Sequence, residues 1–152
     1  MNEFHKHATA REVAEQISAG MLAKETPDVF AEDSAYITPF ALPGAPARIE
    51  GRTAIMEHMR AVASSEAAKA LEIQEVIPTF HEGKDPEIVV MQFKVKGKSN
   101  VTGEAFELDS SIGVLKVHRG KIVEWHDYPN IIGGSAAGGT LRQLAAMLSQ
   151  IG

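Results

Sequence analysis

Apolar residues in the first part of the chain recur at helical spacing. The segment Thr9-Ala-Arg-Glu12 matches a capping box, in which two side chains close the first turn of a helix. The apolar residues that follow at intervals of four are Val13, Ile17 and Met21. This spacing predicts a first helix from about residue 9 to 24.

Three more elements are predicted before the chain changes its pattern. Pro27 suits the first position of a short helix over residues 27–30. The run 34–38 is rich in β-forming residues and predicts a strand, which the proline-rich loop 39–51 follows. A helix is expected over residues 52–65, where the apolar residues on one face are Ile55, Met59 and Val62.

Apolar and polar residues alternate from residue 70 onward, which is typical of strands. Four alternating runs, separated by turn-forming residues, predict an antiparallel meander over residues 71–81, 87–96, 104–118 and 121–128. The residues expected on one face of the second run are Val89, Met91, Phe93 and Val95. The apolar set expected on one face of the third run is Phe106, Leu108, Ile112 and Val114.

The tail combines a glycine-rich run with a final apolar stripe. We interpret residues 133–139 as a hinge and residues 140–151 as an amphipathic helix. Helices come first, a long meander follows, and a helix ends the chain. This order predicts a single α+β domain over residues 1–152, with helices packed on one face of a curved antiparallel sheet.

Composition narrows the class of protein further. With 44% hydrophobic and 23% charged residues the chain resembles an ordinary globular domain. Its formal charge of −5 and the lack of a basic cluster argue against a nucleic-acid partner. No apolar run approaches the roughly 20 residues that span a bilayer, and the first residues lack the apolar core of a secretion signal, so we predict a cytoplasmic protein without a membrane partner. The absence of cysteine excludes disulfides and thiolate chemistry.

The last predicted strand carries the strongest candidate for chemistry. Alternation places Val123, Trp125 and Asp127 on one face of the strand, opposite Glu124, His126 and Tyr128. A carboxylate beside Val123 and Trp125 loses solvation, so its pKa is expected to rise toward the range useful for acid–base catalysis. His126 points away from Asp127, and we therefore predict no His–Asp dyad.

Other chemistries receive little support from the sequence. His5 and His7 are close together but lie at the chain terminus, and His58 and His81 are isolated, so we predict no metal site. No glycine-rich nucleotide motif or nucleophile elbow is present, and we predict no cofactor. Tyr36 is a candidate hydrogen-bond donor to a ligand oxygen or water.

Four segments together carry a resemblance to a known family. They are Phe30-Ala-Glu-Asp-Ser-Ala-Tyr36, Ile49-Glu-Gly-Arg-Thr-Ala-Ile55, Gly113-Val-Leu-Lys-Val-His-Arg-Gly-Lys-Ile122 and Trp125-His-Asp-Tyr128. In order and spacing they resemble the SnoaL-like branch of the NTF2-like superfamily over residues 9–130. The resemblance implies a cone-shaped curved sheet around helices and, often, a homodimer through the outer sheet face. Members include polyketide cyclases, ketosteroid-isomerase-like enzymes, limonene-type epoxide hydrolases and proteins without known activity.

The resemblance also implies roles for individual residues. Asp127 falls on a catalytic Asp of the epoxide hydrolases and on the proton-transferring Asp of the cyclases. Tyr36 falls on the water-positioning Tyr of the hydrolases, and Thr38 replaces their companion Asn. The hydrolases' Arg-x-Asp pair is absent from Met91-Gln-Phe-Lys-Val95, and the steroid-isomerase base is absent from Thr38-Pro39-Phe40.

These observations lead to one leading hypothesis. An enzyme would isomerise, cyclise or dehydrate a small apolar or polycyclic molecule by cofactor-free acid–base chemistry, with Asp127 and Tyr36 as catalytic residues. Candidates for substrate binding are Thr38, Phe40, Met59, Met91, Phe93 and Trp125. The alternatives are a limonene-type epoxide hydrolase and a dimeric module that binds a small molecule without chemistry.

Overall fold

The computed structural model describes residues 6–152. In chain order the elements are α1 (Ala10–Ala23), β1 (Phe30–Ile37), β2 (Arg48–Glu50), α2 (Arg52–Ala63), α3 (Glu66–Lys69), β3 (Leu71–Glu82), β4 (Ile88–Ser99), β5 (Ala105–His118), β6 (Lys121–Pro129), α4 (Ile131–Gly138) and α5 (Leu141–Ser149). The strands of this part of the chain form one sheet in the order β2-β1-β6-β5-β4-β3. The predicted α+β class is confirmed.

Helix α1 begins as its sequence predicts. The Thr9 hydroxyl accepts from the backbone N–H of Glu12 at 3.1 Å, and the Glu12 carboxylate accepts from the N–H of Thr9 at 2.8 Å. Both bonds satisfy N–H groups that a helix start leaves without partners. The apolar stripe behind this cap, which includes Val13 and Ile17, is buried against the sheet. The capping box therefore determines the residue at which α1 begins, and the apolar stripe determines which side of α1 faces the sheet.

The predicted helix over residues 27–30 is wrong. Val29 and Phe30 are buried, and the Val29 carbonyl accepts from the N–H of Ile122 at 2.7 Å. Phe30 thus begins β1, four residues before the predicted strand start. The proline signal is local, whereas pairing with β6 and burial of an aromatic ring are tertiary contributions that outweigh it. The predicted loop 39–51 likewise contains β2, which pairs with β1.

The predicted meander is confirmed, since β3, β4, β5 and β6 pair antiparallel in sequence order. The predicted face of β4 is buried at every expected position, which are Val89, Met91, Phe93 and Val95. Strand β1 then joins the other side of β6 in parallel orientation. This parallel pairing has no signature in the sequence pattern, and it brings the beginning and the end of the sheet together.

A bulge in β5 overturns the predicted apolar set of that strand. Phe93 pairs with Ser111 and Lys94 with Asp109, so Ser110 is an extra residue that is paired with no residue of β4. An extra residue reverses the alternation beyond it. Phe106 and Leu108 keep the face of buried Val95, but Ile112 and Val114 lie on the other face, where Ile112 is 43% exposed. The buried positions after the bulge are Gly113, Leu115 and Val117.

A second bulge corrects the predicted face of β6. Val117 pairs with Ile122 and Lys116 with Glu124, which leaves Val123 as the extra residue. Ile122 is fully buried in the core, and Val123 is only half-buried. The inward residues are therefore Ile122, Trp125 and Asp127, and the prediction fails at Val123 alone.

The predicted hinge over residues 133–139 is also wrong for most of its length. Helix α4 covers the run up to Gly138, whose carbonyl accepts from the buried Ser99 hydroxyl at 2.8 Å. Only Gly139, with a φ of 74°, breaks the helix before α5. Helix α5 follows as predicted. Among residues 6–152, no helix is both long enough and apolar enough to span a membrane.

Candidate active site

Tyr36 and Asp127 meet on the inner face of the sheet. Parallel pairing of β1 with β6 aligns Tyr36 with Trp125, two residues before Asp127. The Tyr36 hydroxyl donates a hydrogen bond to Oδ2 of Asp127, across a sequence separation of 91 residues. The two catalytic candidates predicted from the sequence therefore form one hydrogen-bonded pair.

Burial sets the protonation of this pair. It raises the pKa of the Asp127 carboxyl to about 6, because the charged form loses its hydration, and the hydrogen bond from Tyr36 opposes this rise. Burial and the neighbouring Asp127 charge together raise the pKa of Tyr36 well above its usual value. At neutral pH, Asp127 is thus mainly a carboxylate and Tyr36 a phenol. A carboxylate with a pKa close to the working pH suits proton transfer in both directions.

Aromatic rings hold the pair in place. The Trp125 indole is stacked with Phe30 at 6.1 Å between centroids, and it meets Tyr36 in a T-shaped contact at 5.3 Å. The His58 ring lies 5.5 Å from the ring of Tyr36 on the helix side. Such contacts restrict ring rotation and so fix the direction of the Tyr36 hydroxyl.

His58 is the residue that the sequence reasoning missed. It lies on α2, half-buried, and burial lowers the pKa of its imidazole. In residues 6–152 no hydrogen bond joins its ring to another side chain or to the backbone. A signal was available, because a histidine at this position lies at the edge of the helical face that carries Ile55, Met59 and Val62.

An apolar cavity of about 370 Å³ lies on the other side of Trp125 from Tyr36, and neither Tyr36 nor Asp127 lines it. Trp125 and Phe30 line it from the sheet, and Met59 lines it from α2. The rest of the wall comes mainly from the second half of α1 and from the start of β3, through residues such as Ile17, Met21, Leu71 and Ile73. Pockets for small molecules are of this size and apolar character, and Trp125 connects this cavity with Tyr36.

Three further predicted site residues, Met91, Phe93 and Thr38, lie on or next to the strands of the sheet. Met91 is fully buried and lies in the same row of paired residues as Gly113 and Asp127. Phe93 is buried two residues further along β4, on the same face as Met91. Thr38 follows β1 on the side of Tyr36, and its hydroxyl opposes the rise in the pKa of Tyr36.

Phe40 is not brought to this site. A turn closed by the Ala41 N–H and the Thr38 carbonyl at 3.0 Å carries Phe40 away from the sheet interior. The ring is 77% exposed and packs against Tyr128, on the face of β6 opposite Asp127. The alternation that would have pointed Phe40 inward ends with β1 at Ile37.

Among residues 6–152, the histidines other than His58 lie outside the site. His126 pairs with Glu124 at 2.6 Å on the outer face, which confirms that it forms no dyad with Asp127. His81 pairs with Gln92 at 3.1 Å. Of the predicted terminal pair, His7 is exposed and His5 lies outside the described residues.

Chemically, the site offers one carboxylate, one phenol and one imidazole, and Trp125 separates the phenol from the apolar cavity. Opposite Asp127 in its row stand Gly113 and Met91, which can neither donate nor accept a catalytic proton. Such an arrangement suits the movement of a proton on a substrate by a single carboxylate. A mechanism that needs a second carboxylic acid beside the first has no such group in this row.

The sequence of this chain matches a known domain family. Residues 10–125 match the SnoaL-like domain, and the chain therefore belongs to that family. The matched segment includes Tyr36 and Trp125 and ends two residues before Asp127. The predicted resemblance is confirmed.

Individual relatives agree with this assignment. The uncharacterised protein YesE of Bacillus subtilis is 30% identical over 148 residues, which cover 94% of this chain and 95% of that protein. A similar crystal structure is that of a candidate isomerase from Bacillus subtilis, whose sequence is 29% identical to this chain. The superposition covers 92% of this chain and 97% of the isomerase chain, with a TM-score of 0.70. A candidate SnoaL-like polyketide cyclase from Mesorhizobium loti, 22% identical with a TM-score of 0.52, covers 78% of this chain and 94% of its own. The last similarity shows the fold alone.

Proposed function

We propose that this chain is an enzyme that isomerises, cyclises or dehydrates a small apolar molecule by acid–base chemistry at Asp127. The observation that carries the proposal is a buried carboxylate with a pKa of about 6, bonded to a phenol whose ring contacts Trp125, a residue that lines an apolar cavity. Membership of the SnoaL-like family and the isomerase description of the similar Bacillus subtilis structure support the same class of reaction.

In the proposed first step, Asp127 removes a proton from a carbon next to a carbonyl group. The C–H bond breaks, the proton moves to Oδ1 of Asp127, and the electron pair moves onto the carbonyl oxygen to give an enolate. The Tyr36 hydroxyl donates to Oδ2, and we assign proton transfer to the other carboxylate oxygen, Oδ1. In a β,γ-unsaturated ketone, return of the proton to the γ-carbon completes an isomerisation. In a cyclisation, the enolate carbon attacks a second carbonyl, whose π electrons move to its oxygen, and this oxygen takes the proton from Asp127. In a dehydration, the enolate expels a β-hydroxyl group, which takes the proton from Asp127 and leaves as water.

Epoxide opening is the weaker alternative. It needs an acid to protonate the epoxide oxygen while a carboxylate activates water. Met91 and Gly113 stand where β4 and β5 face Asp127, so neither strand supplies that acid in this row. A proton that leaves and returns to one carboxylate requires no second acid, which is why we prefer isomerisation, cyclisation or dehydration.

The test measures proton abstraction directly. 2-Tetralone, a bicyclic ketone with exchangeable α-protons, is incubated in D₂O with saturating protein, and deuterium uptake is followed by NMR. We expect uptake above the buffer rate for the wild type and a loss of about 10²-fold or more for Asp127→Asn. The matched control is Asp33→Asn, an exposed carboxylate on β1, which should exchange like the wild type. Uptake at the buffer rate in the wild type would favour the non-catalytic binding module instead.

We also propose that two copies associate through the outer face of the sheet. An outer apolar patch of Phe40, Val90, Ile112, Val114 and Tyr128 lies on the face opposite Asp127. Ile112 and Phe40 are 43% and 77% exposed there, and exposed apolar patches of this kind mark interaction surfaces. A two-fold interface would bury this patch against its own copy.

A further inference from the structure

The indole nitrogen of Trp125 is a buried donor whose hydrogen bond is not made within the protein. Trp125 is 8% exposed, and among residues 6–152 no protein atom accepts from its Nε1. The Ser34 hydroxyl is a second buried group without a partner, but Ser34 does not line the cavity. A buried N–H without an acceptor costs about 1–3 kcal/mol, and most native proteins avoid it. The Trp125 ring contacts Tyr36, so this donor lies next to the proposed catalytic pair.

The nitrogen points at the surface of Gly113, which pairs directly with Asp127. A Cβ atom built on Gly113 would lie 2.9 Å from Nε1 of Trp125 and 2.7 Å from Cε of Met91. The space above Gly113 is therefore shared by the indole nitrogen and the methyl end of a flexible thioether side chain. Directly paired residues have their side chains about 5 Å apart, so this space lies beside the Asp127 carboxylate.

The indole cannot easily turn this donor elsewhere. Phe30 stacks on its face at an interplanar angle of 13°, and Tyr36 contacts it edge-on at 82°. The Met91 side chain, in contrast, has three rotatable bonds, so its terminal methyl can change position while its Cγ, 3.3 Å from the Cβ built on Gly113, stays in place. The movable partner in this contact is thus Met91.

We infer that Trp125 donates a hydrogen bond from Nε1 to the oxygen of a bound carbonyl substrate, and that this oxygen takes the place of the Met91 methyl above Gly113. The inference rests on the proposed function and adds the group that stabilises the enolate oxygen. As Asp127 removes the α-proton, negative charge collects on the oxygen, and a preorganised donor in a buried site stabilises it most at that stage. Gly113 is required because any side chain would fill the position of the oxygen.

Trp125 is the only tryptophan of the chain, so its indole N–H gives a single signal in the spectrum of nitrogen-15-labelled protein. The experiment titrates the wild type with 2-tetralone and, in parallel, with tetralin, which has the same bicyclic frame without the oxygen. We expect the indole proton to move downfield with the ketone and to change little with the hydrocarbon. Equal changes with both ligands, or no change with the ketone, would overturn the inference.

Two variants identify the donor. The wild type should bind the ketone about tenfold more tightly than the hydrocarbon, as one net hydrogen bond implies. Trp125→Phe, which keeps an aromatic ring, should remove this preference, and Tyr36→Phe should retain it. Loss of the preference in Tyr36→Phe alone would assign the donor to Tyr36 and contradict the inference.

The outcome is separable from that of the proposed function. Asp127→Asn should abolish deuterium uptake and yet preserve both the ketone preference and the downfield shift. Asp127-dependent uptake without a shift would leave the proposed function standing and reject the role of Trp125. A shift without uptake would support Trp125 as the carbonyl donor and reject proton abstraction.

Discussion

At the scale of single residues, Asp127 shows how a site opposes stability. Its carboxyl is more easily protonated in the fold than in an unfolded chain, because the inner face of β6 offers little hydration. The hydrogen bond from Tyr36 replaces only part of the hydration that the carboxylate loses on burial. Burial of the Asp127 carboxylate lowers the stability of the fold, whereas most other charged residues lie at the surface.

We predict that Asp127→Asn stabilises the protein at neutral pH. The folded-state pKa of about 6 lies above the ordinary value of 3.8, so the stability that Asp127 contributes is complete below pH 3.8 and is lost as the pH rises through about 6. The difference corresponds to at most about 3 kcal/mol. Urea unfolding should show the variant more stable than the wild type by up to about 3 kcal/mol near pH 7.5, with little of this gain left near pH 4. A gain of equal size at both values would contradict the assigned pKa.

We predict that Tyr36→Phe raises the pKa of Asp127 above 6, because the hydrogen bond from Tyr36 holds it down. The ionised base is then lost at a higher pH, so the acid side of the pH profile for deuterium uptake should move upward. Uptake should fall most near pH 6 and least near pH 8. The control is Tyr128→Phe, the other tyrosine of the chain, which lies on the outer face. An unmoved profile in Tyr36→Phe would show that the bond does not act on the base.

At the scale of elements, two bulges decide which side chains reach the interior. The extra residues Ser110 and Val123 each reverse the alternation of their strand. Without the first, Ile112 rather than Gly113 would take the inward position opposite Met91, and Gly113 would no longer leave space next to the indole nitrogen. Local periodicity cannot reveal a bulge, because both registers bury apolar residues and only the pairing with a neighbouring strand selects one.

A third irregularity, between Ile73 and Glu75 of β3, gives a prediction about Gly97. A Cβ on Gly97 would lie 1.9 Å from the backbone oxygen of Glu72, which cannot move without breaking the β3–β4 pairing. We expect Gly97→Ala to lower the free energy of unfolding by about 3 kcal/mol. The control is Gly83→Ala in the β3–β4 turn, where a Cβ meets no atom within 4 Å. That variant should stay within about 0.5 kcal/mol of the wild type in urea unfolding.

At the scale of the whole molecule, the sheet separates two surfaces with different uses. Its inner face carries Asp127 and Trp125, and its outer face carries the outer apolar patch. Residues next to each other in sequence, such as Asp127 and Tyr128, therefore lie on opposite faces of the sheet. Substitutions on the outer face should change association without changing proton transfer.

We predict that Ile112→Glu converts a dimer into a monomer, because each copy would place a buried charge at the two-fold interface. Light scattering after size-exclusion chromatography should give about twice the chain mass of 16.4 kDa for the wild type and the single mass for the variant. Val101→Glu, a change at a 59% exposed apolar residue of the β4–β5 turn, is the control and should remain dimeric. A wild type that is already monomeric would reject the interface.

The sequence by itself determined the elements whose signals are local. The capping box placed the start of α1, alternation identified the buried face of β4, and opposite side-chain directions separated His126 from Asp127. Only the tertiary structure decided which groups meet. The bond between Tyr36 and Asp127 depends on the parallel pairing of β1 with β6, and the contact of Trp125 with Gly113 depends on the bulge in β5. Strand pairing and bulges are set by contacts between distant parts of the chain, and such contacts leave no period in the sequence.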